Sequence, residues 1–141
     1  MNSFTRRRFL ESSAAVLGVA IVGCNSKEAA APQSRTGADG SVVLTGLGAL
    51  ESGKALVFTF PNGEPGLAFK TASGQSGAVS AKCTHQGCTV EWSGDSQNPL
   101  HCPCHNSNFA LDGKVLSGPA KAPLQHYSLA QNGEEIVLRP L

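Results

Sequence analysis

Two short segments concentrate the metal-binding side chains of this 141-residue chain. They hold four of its five cysteines and two of its four histidines, as Cys83-x-His85-x-x-Cys88 and Cys102-x-Cys104-His105. Thiolates and imidazoles at such close spacing bind soft or borderline metal ions, or the cysteines pair as disulfides. The fold must therefore bring these two segments to one place.

Three arrangements could use these six side chains. A structural zinc site of the Cys2His2 kind would use four and leave two cysteines over, at spacings unlike those of common zinc fingers. A domain held by disulfides alone would pair all four cysteines and leave both histidines without a role. A [2Fe–2S] cluster with two thiolates on one iron and two imidazoles on the other would use both residue types.

The sequence from residue 41 to residue 141 favours β-strands. Short β-branched or aromatic runs, at 41–47, 54–60, 67–73, 127–131 and 135–138, are separated by glycine, proline and asparagine. Asn132-Gly133 predicts a β-hairpin with a type I′ turn. We therefore predict an all-β domain at 41–141, a small antiparallel sandwich or barrel, with a loop-built metal-binding part at about 81–124.

The first forty residues have a different character. Residues 1–23 resemble a twin-arginine export signal, because an arginine run at 6–8 precedes an apolar stretch too short for a bilayer, which needs roughly 20 residues. Cys24 ends a sequence that resembles a bacterial lipobox, so we predict that it is lipidated; the alternative is an incidental cysteine in an uncleaved signal anchor. Residues 24–40 are small and polar and predict a flexible linker. The predicted location is outside the cytoplasm, in the periplasm or at the cell exterior, anchored to the membrane surface through the N-terminus.

The two cysteine–histidine segments resemble the two metal-binding boxes of the Rieske iron–sulfur family. The match consists of CTHQGC at 83–88 and CPCHNSNF at 102–109. Gly118-Pro119-Ala120 resembles the proline loop, the third loop around the cluster in that family. The resemblance covers about residues 41–141 and implies a Rieske-type fold with one [2Fe–2S] cluster per chain.

The resemblance assigns a role to each side chain of the two boxes. Cys83 and Cys102 would bind one iron, and His85 and His105 the other. The remaining two, Cys88 and Cys104, would form a disulfide that ties the boxes together. A disulfide beside the cluster suits an oxidising compartment and therefore agrees with an export signal.

Four further positions bear on the potential, the backbone and the docking surface. Ser107 matches the family serine whose hydroxyl donates to the cluster and favours its reduced state. Phe109 stands where high-potential members carry a tyrosine, so we expect an intermediate reduction potential. Asn106 replaces a glycine and is expected to adopt a left-handed backbone, which asparagine tolerates. Gln86 replaces a leucine that commonly packs into the quinol-oxidising partner.

The resemblance implies one-electron transfer rather than catalysis by this chain alone. The expected role is the iron–sulfur subunit of a membrane quinol-oxidising cytochrome complex that passes electrons from quinol to a c-type cytochrome. The alternative, which Gln86 favours, is a stand-alone periplasmic carrier or the small subunit of a molybdenum oxidase of the arsenite-oxidase kind. A zinc-binding or disulfide-bonded structural lipoprotein is the interpretation from another class. With a formal net charge of +1, no nucleic-acid partner is expected.

Overall fold

The computed structural model describes residues 32–141. The predicted export signal at 1–23 and the predicted lipidation site at Cys24 lie outside this range. Over residues 32–141, no helix has the length and apolar character needed to cross a membrane.

The described part of the chain folds into two antiparallel sheets. The larger sheet contains β1 (Gln33–Thr36), β2 (Val42–Thr45), β3 (Lys54–Thr59), β4 (Pro65–Lys70), β5 (Ser76–Ser80), β10 (His126–Asn132) and β11 (Glu135–Pro140). The smaller sheet contains β6 (Glu91–Trp92), β7 (Leu100–Cys102), β8 (Ser107–Phe109) and β9 (Val115–Ser117). The predicted all-β class is confirmed.

The larger sheet curls on itself. Its strand order is β1-β2-β11-β10-β5-β4-β3, and the two edge strands, β1 and β3, come close to each other. The concave side encloses an apolar core that includes Leu44, Phe58, Ile136 and Leu138. Because neighbouring residues on a strand point to opposite faces, the convex side is left with a second set of side chains to cover.

Strands β4 and β5 separate two apolar cores. We call the apolar core between the two sheets the outer core. On β4, Leu67 and Phe69 face the outer core, whereas Ala68 faces the core inside the curled sheet. On β5, Val79 faces the outer core and Ala78 faces the core inside the curled sheet. Both faces of these strands are covered, which explains why β4 is almost continuously apolar rather than alternating. The smaller sheet covers the outer face and is thereby fixed to the larger one.

An aromatic stack joins the two sheets. The rings of Phe69 on β4 and Trp92 on β6 lie parallel within 12°, with centroids 5.5 Å apart. Such a pair contributes about 0.5–1.5 kcal/mol beyond the apolar area that it buries. The stack therefore helps to hold the smaller sheet, and the loops that it carries, in a fixed position.

The prediction of a flexible linker at 24–40 is wrong for Gln33–Thr36, which form strand β1. Its sequence, QSRT, has no apolar alternation, but it pairs with β2 from Gln33↔Thr45 to Thr36↔Val42. An exposed ion pair between Arg35 and Glu135, at 3.0 Å, ties it to β11 as well. Backbone hydrogen bonds define an edge strand without requiring an apolar pattern, so the side chains gave no signal. Residues 24–31 lie outside the described range.

The terminal hairpin is confirmed, but its predicted turn type is wrong. Asn132 pairs with Glu135, so Gly133 and Glu134 form the two-residue turn. Gly133 has a φ of +63°, and Glu134 has no positive φ. A type I′ turn requires a positive φ at both central residues, whereas type II′ requires it only at the first, where glycine is preferred.

Candidate metal centre

Residues 83–88, the first loop, form a tight turn between β5 and β6. The Cys83 N–H donates to the Cys88 carbonyl and the Gly87 N–H donates to the Cys83 carbonyl, both at 2.8 Å. Gly87 has a φ of +79°, a conformation in which glycine is not strained. The turn directs Cys83 into the outer core and leaves His85 half-buried.

Residues 103–106, the second loop, connect β7 to β8. Cys102, at the end of β7, is buried in the outer core, whereas His105 in the loop is exposed. Asn106 has a φ of +58°, so the left-handed backbone predicted for this position is confirmed. This conformation reverses the chain directly after His105.

Replacing Asn106 by alanine is expected to lower the free energy of unfolding by about 1–2 kcal/mol. A β-carbon without a local hydrogen-bonding side chain is disfavoured at this φ, and that is the usual cost of the left-handed conformation. The Asn106→Gly variant is the matched control, because glycine adopts this φ freely, and should change stability by less than about 0.5 kcal/mol. Urea unfolding followed by circular dichroism would measure both, and equal effects would contradict the assignment of strain.

The fold brings the four predicted iron ligands together as two like pairs. The thiols of Cys83 and Cys102 are neighbours in the outer core and influence each other's ionisation. The rings of His85 and His105 meet edge to face, with centroids 4.7 Å apart. Each loop therefore supplies one thiol to a buried pair and one imidazole to a more exposed pair.

The electrostatics of the thiol pair disfavour ionisation unless a cation is bound. Burial and the neighbouring Cys83 thiol raise the pKa of Cys102 above its ordinary value. The backbone N–H groups of Cys104 and His105 point at the Cys102 sulfur and act in the opposite direction. These N–H groups would stabilise a thiolate, which is the form that binds metal.

The imidazole pair fits a metal-bound cofactor. Among the residues that the structure describes, His85 Nδ1 is the one buried side-chain nitrogen or oxygen atom without a hydrogen-bond partner. Burying such an atom unpaired is costly, and coordination to a metal ion removes that cost. Two thiols and two imidazoles, one of which carries this unpaired nitrogen, fit the donor set of a [2Fe–2S] cluster with mixed ligands.

Cys88 and Cys104 form the predicted disulfide, with an S–S distance of 2.09 Å. Their sulfur atoms and that of Cys102 lie within 4.8 Å of one another. This group of three cannot serve as a metal site, because two of its sulfurs are already bonded to each other. Cys83 and Cys102 remain as free buried thiols, which contradicts a domain held by disulfides alone.

Residues 118–124, the third loop, follow β9 and approach the second loop closely. A β-carbon at Gly118 would lie 2.5 Å from the Ser107 Cα atom and 2.6 Å from the Asn106 carbonyl oxygen. Only glycine allows this approach, and its φ of +94° is also one that other residues rarely adopt. Pro119 is exposed beside it. The proline loop predicted from the sequence therefore lies against the second loop.

Three links connect the three loops in pairs. The disulfide joins the first loop to the second. The Thr84 hydroxyl donates to the Ala122 carbonyl at 2.6 Å and joins the first loop to the third. The Ala120 N–H donates to the Ser107 hydroxyl at 3.2 Å and joins the third loop to β8, directly after the second loop. No residue pattern predicted the second of these links, because it ends on a backbone carbonyl group.

A polar row on the outer face of the smaller sheet was also missed. His101, Asn108 and Ser117 are cross-strand neighbours on β7, β8 and β9. His101 Nδ1 and Asn108 Oδ1 are 2.8 Å apart, and Asn108 Nδ2 donates to the Ser117 hydroxyl at 3.0 Å. The partner of His101 could be found only once the register of β7 and β8 was known.

The positions predicted to affect the reduction potential are buried, whereas the position predicted to affect docking is exposed. Ser107 and Phe109 are completely buried on β8. Gln86 is exposed on the first loop. The first two can therefore act on the interior of the site, whereas Gln86 can act only on what approaches it from outside.

Comparisons with known proteins agree with this geometry. The family model for the Rieske [2Fe-2S] domain matches residues 42–128. The cytochrome b6-f complex iron-sulfur subunit of Chlorobaculum thiosulfatiphilum is 38% identical over 86 residues, which are 61% of this chain and 46% of that protein. The corresponding subunit of Chlorobaculum tepidum is 43% identical over 61 residues, which are 43% of this chain and 33% of that protein. The chain thus spans less than half the length of these relatives.

Two solved structures resemble the fold. The plasma membrane Rieske protein PetC3 of Synechocystis PCC 6803 superposes with a TM-score of 0.52 at 37% identity, covering 60% of this chain and 85% of that one. The ferredoxin of carbazole 1,9a-dioxygenase from Nocardioides aromaticivorans IC177 gives a TM-score of 0.53 at 22% identity, covering 65% of this chain and 89% of that one. The second likeness concerns the fold alone.

Proposed function

This chain belongs to the Rieske [2Fe-2S] family, and on that basis we propose that it is the iron–sulfur subunit of a quinol-oxidising cytochrome complex. In this role it takes single electrons from quinol and passes them to a c-type cytochrome or a similar acceptor. The observation that carries the proposal is the buried Cys83–Cys102 thiol pair beside the His85–His105 imidazole pair, on loops joined by a disulfide. Relatives that are subunits of cytochrome b6-f complexes support it.

Four side chains would hold the cofactor. The thiolates of Cys83 and Cys102 would bind one iron, and the imidazoles of His85 and His105 the other. When bound, the cluster supplies reversible one-electron redox chemistry, with family potentials of about −150 to +300 mV because neutral imidazoles replace two anionic thiolates.

The surrounding protein separates a protected side of the centre from an accessible side. Cys83 and Cys102 face the outer core, where Phe109 and other apolar side chains exclude water. His105 is exposed, so a redox partner can approach the imidazole side. Electron exchange with partners is therefore expected at His85 and His105 rather than at the thiolates.

The proposed location is outside the cytoplasm, facing the periplasm or the cell exterior. The Cys88–Cys104 disulfide supports it, because disulfides persist in oxidising compartments. The resemblance of residues 1–23 to a twin-arginine signal and of Cys24 to a lipidated cysteine supports export and attachment to the membrane surface through the N-terminus.

A second candidate is a stand-alone electron carrier or the small subunit of a molybdenum oxidase. The exposed Gln86 favours it, because a polar side chain beside His85 is poorly suited to burial against an apolar surface of a quinol-oxidising partner. Co-purification with a membrane cytochrome would support the first candidate, and co-purification with a large molybdenum subunit the second.

Electron paramagnetic resonance of the purified full chain tests the proposed function. We expect a rhombic signal of the histidine-ligated type to appear on addition of ascorbate, because imidazole ligation raises the reduction potential. A signal that requires dithionite would contradict quinol oxidation and favour the carrier. A colourless, silent protein that contains zinc by elemental analysis would contradict both.

A further inference from the structure

The charges of the domain are unevenly distributed around His85 and His105. We define the imidazole face as residues 82–88, 103–106 and 118–125, which contain two lysines and no aspartate or glutamate. The rest of residues 32–141 contains five basic and eight acidic residues. The imidazole face is thus positive on a domain that is otherwise net negative.

Lys121 is fixed at this face. It is exposed, and it lies between two anchored residues of the third loop. On one side the Ala120 N–H is bonded to the Ser107 hydroxyl, and on the other the Ala122 carbonyl accepts from Thr84. Its backbone is therefore tied to both histidine-bearing segments, so the charge of Lys121 belongs to the imidazole face.

Lys82 contributes less net charge than Lys121. Its Nζ atom lies 2.8 Å from Glu64 Oε1 in an exposed ion pair. The hydrogen bond and charge of Lys82 lower the pKa of Glu64, so this carboxyl group stays ionised and cancels much of the neighbouring positive charge. Lys121 is therefore the dominant charge of the imidazole face.

The face is also concave. A concavity of about 650 Å³ opens beside His85 and is lined in part by Thr84, Gln86 and Gln125. The large apolar side chains that are exposed in residues 32–141, Val57, Leu116 and Leu141, lie outside the face. A face without large exposed apolar side chains suits a transient contact rather than an obligate apolar interface.

We propose that the imidazole face binds an electron-transfer protein whose own docking surface is acidic. Complementary charge accelerates encounter and orients the two proteins, which matters for a brief contact. The uneven charge acts in the same direction, because the net negative charge of the rest of the domain disfavours binding of an acidic partner there. This inference rests on the proposed electron transfer and adds the chemistry of the partner.

The test compares two charge reversals in the full chain carrying its cluster. Lys121→Glu removes the dominant charge of the face. Lys54→Glu changes the net charge equally but lies away from the imidazole face. Lys54 begins β3, whereas Lys82 of the face contacts Glu64, next to the opposite end of the β3–β4 hairpin. The five strand intervals between Lys54 and Thr59 span roughly 17 Å. This exceeds the Debye length of ~10 Å at 0.1 M salt.

Two c-type cytochromes, one acidic and one basic, serve as probes. Binding to the oxidised protein is measured by calorimetry, and electron transfer by stopped-flow absorbance. We expect tighter binding of the acidic cytochrome, weakening as salt rises. Lys121→Glu should lower its association rate about three- to tenfold at low salt, whereas Lys54→Glu should change it less than twofold.

Two outcomes would overturn the proposal. Preferential binding of the basic cytochrome would contradict the sign of the charge, and equal effects of the two reversals would show that only net charge matters. Failure of the proposed function is distinguishable, because loss of electron transfer with unchanged calorimetric selectivity would remove the redox role and leave the binding surface.

Discussion

Replacing Cys88 and Cys104 together by alanine is expected to lower the free energy of unfolding by about 3 kcal/mol. The disulfide spans a sequence separation of 16, and closing a loop of about that length restricts the unfolded chain by roughly this amount. Both cysteines must be changed, because a single replacement would leave a free thiol within 4.8 Å of the Cys102 sulfur. Urea unfolding of the full chain measures the change.

The same variant should lose its cluster faster than the unaltered protein. Without the disulfide, the first and second loops can separate and admit water to the buried thiol pair. The half-life of the visible absorbance of the oxidised cluster in air reports this directly. A double replacement by serine, Cys88→Ser with Cys104→Ser, is the control that also leaves no free thiol beside Cys102, and it should reproduce both effects. If neither double variant shortens the half-life, the disulfide does not hold the loops together.

Replacing Ser107 by alanine is expected to lower the midpoint potential by about 60 to 130 mV. A hydrogen bond to a charged group contributes about 1.5–3 kcal/mol, and 59 mV corresponds to a tenfold change for one electron. The Ser107 oxygen accepts from the Ala120 N–H, so its own hydrogen is available to the cluster. Removing that donor disfavours the reduced state, and a redox titration followed by paramagnetic resonance measures the shift.

Thr84→Val is the matched control for Ser107→Ala. It removes a hydroxyl that also anchors the third loop, but the Thr84 hydrogen is already committed to the Ala122 carbonyl. Its midpoint potential should therefore stay within about 20 mV of the unaltered value, well below the shift that one hydrogen bond to a charged group produces. Equal shifts in the two variants would mean that loop position, rather than the Ser107 hydrogen, sets the potential.

Phe109→Tyr is expected to act in the opposite direction. The ring is completely buried in the outer core, which also contains Cys102, and the added hydroxyl supplies the donor that high-potential family members carry. The midpoint potential should rise by a similar amount, about 60 to 130 mV. A potential that stays unchanged in a correctly folded variant would mean that this position does not face the centre.

The centre was more predictable from the sequence than the framework around it. Paired segments that contain both cysteine and histidine have few chemical uses, so their spacing and resemblance identified the family and the disulfide. The left-handed backbone at Asn106 was also predictable, because few residue types tolerate it. These features depend on local chemistry, which the sequence records directly.

The contacts that the sequence did not reveal are long-range or involve backbone atoms. Strand β1 was predicted as linker because its pairing with β2 uses backbone groups that every residue possesses. The bond from Thr84 to Ala122 spans 38 positions and ends on a carbonyl group. The His101–Asn108 pair depends on strand register. Only the assembled fold specifies such contacts.

The three links between the loops have a mechanical consequence. Because each of the three loops is joined to the other two, no loop can move relative to the others unless one of the links lengthens or breaks. An open chain of two links would let one loop swing away. With all three links present, the positions of His85 and His105 should barely differ between the oxidised and reduced protein. Such rigidity keeps the reorganisation energy of electron transfer low, because little atomic motion must accompany each electron.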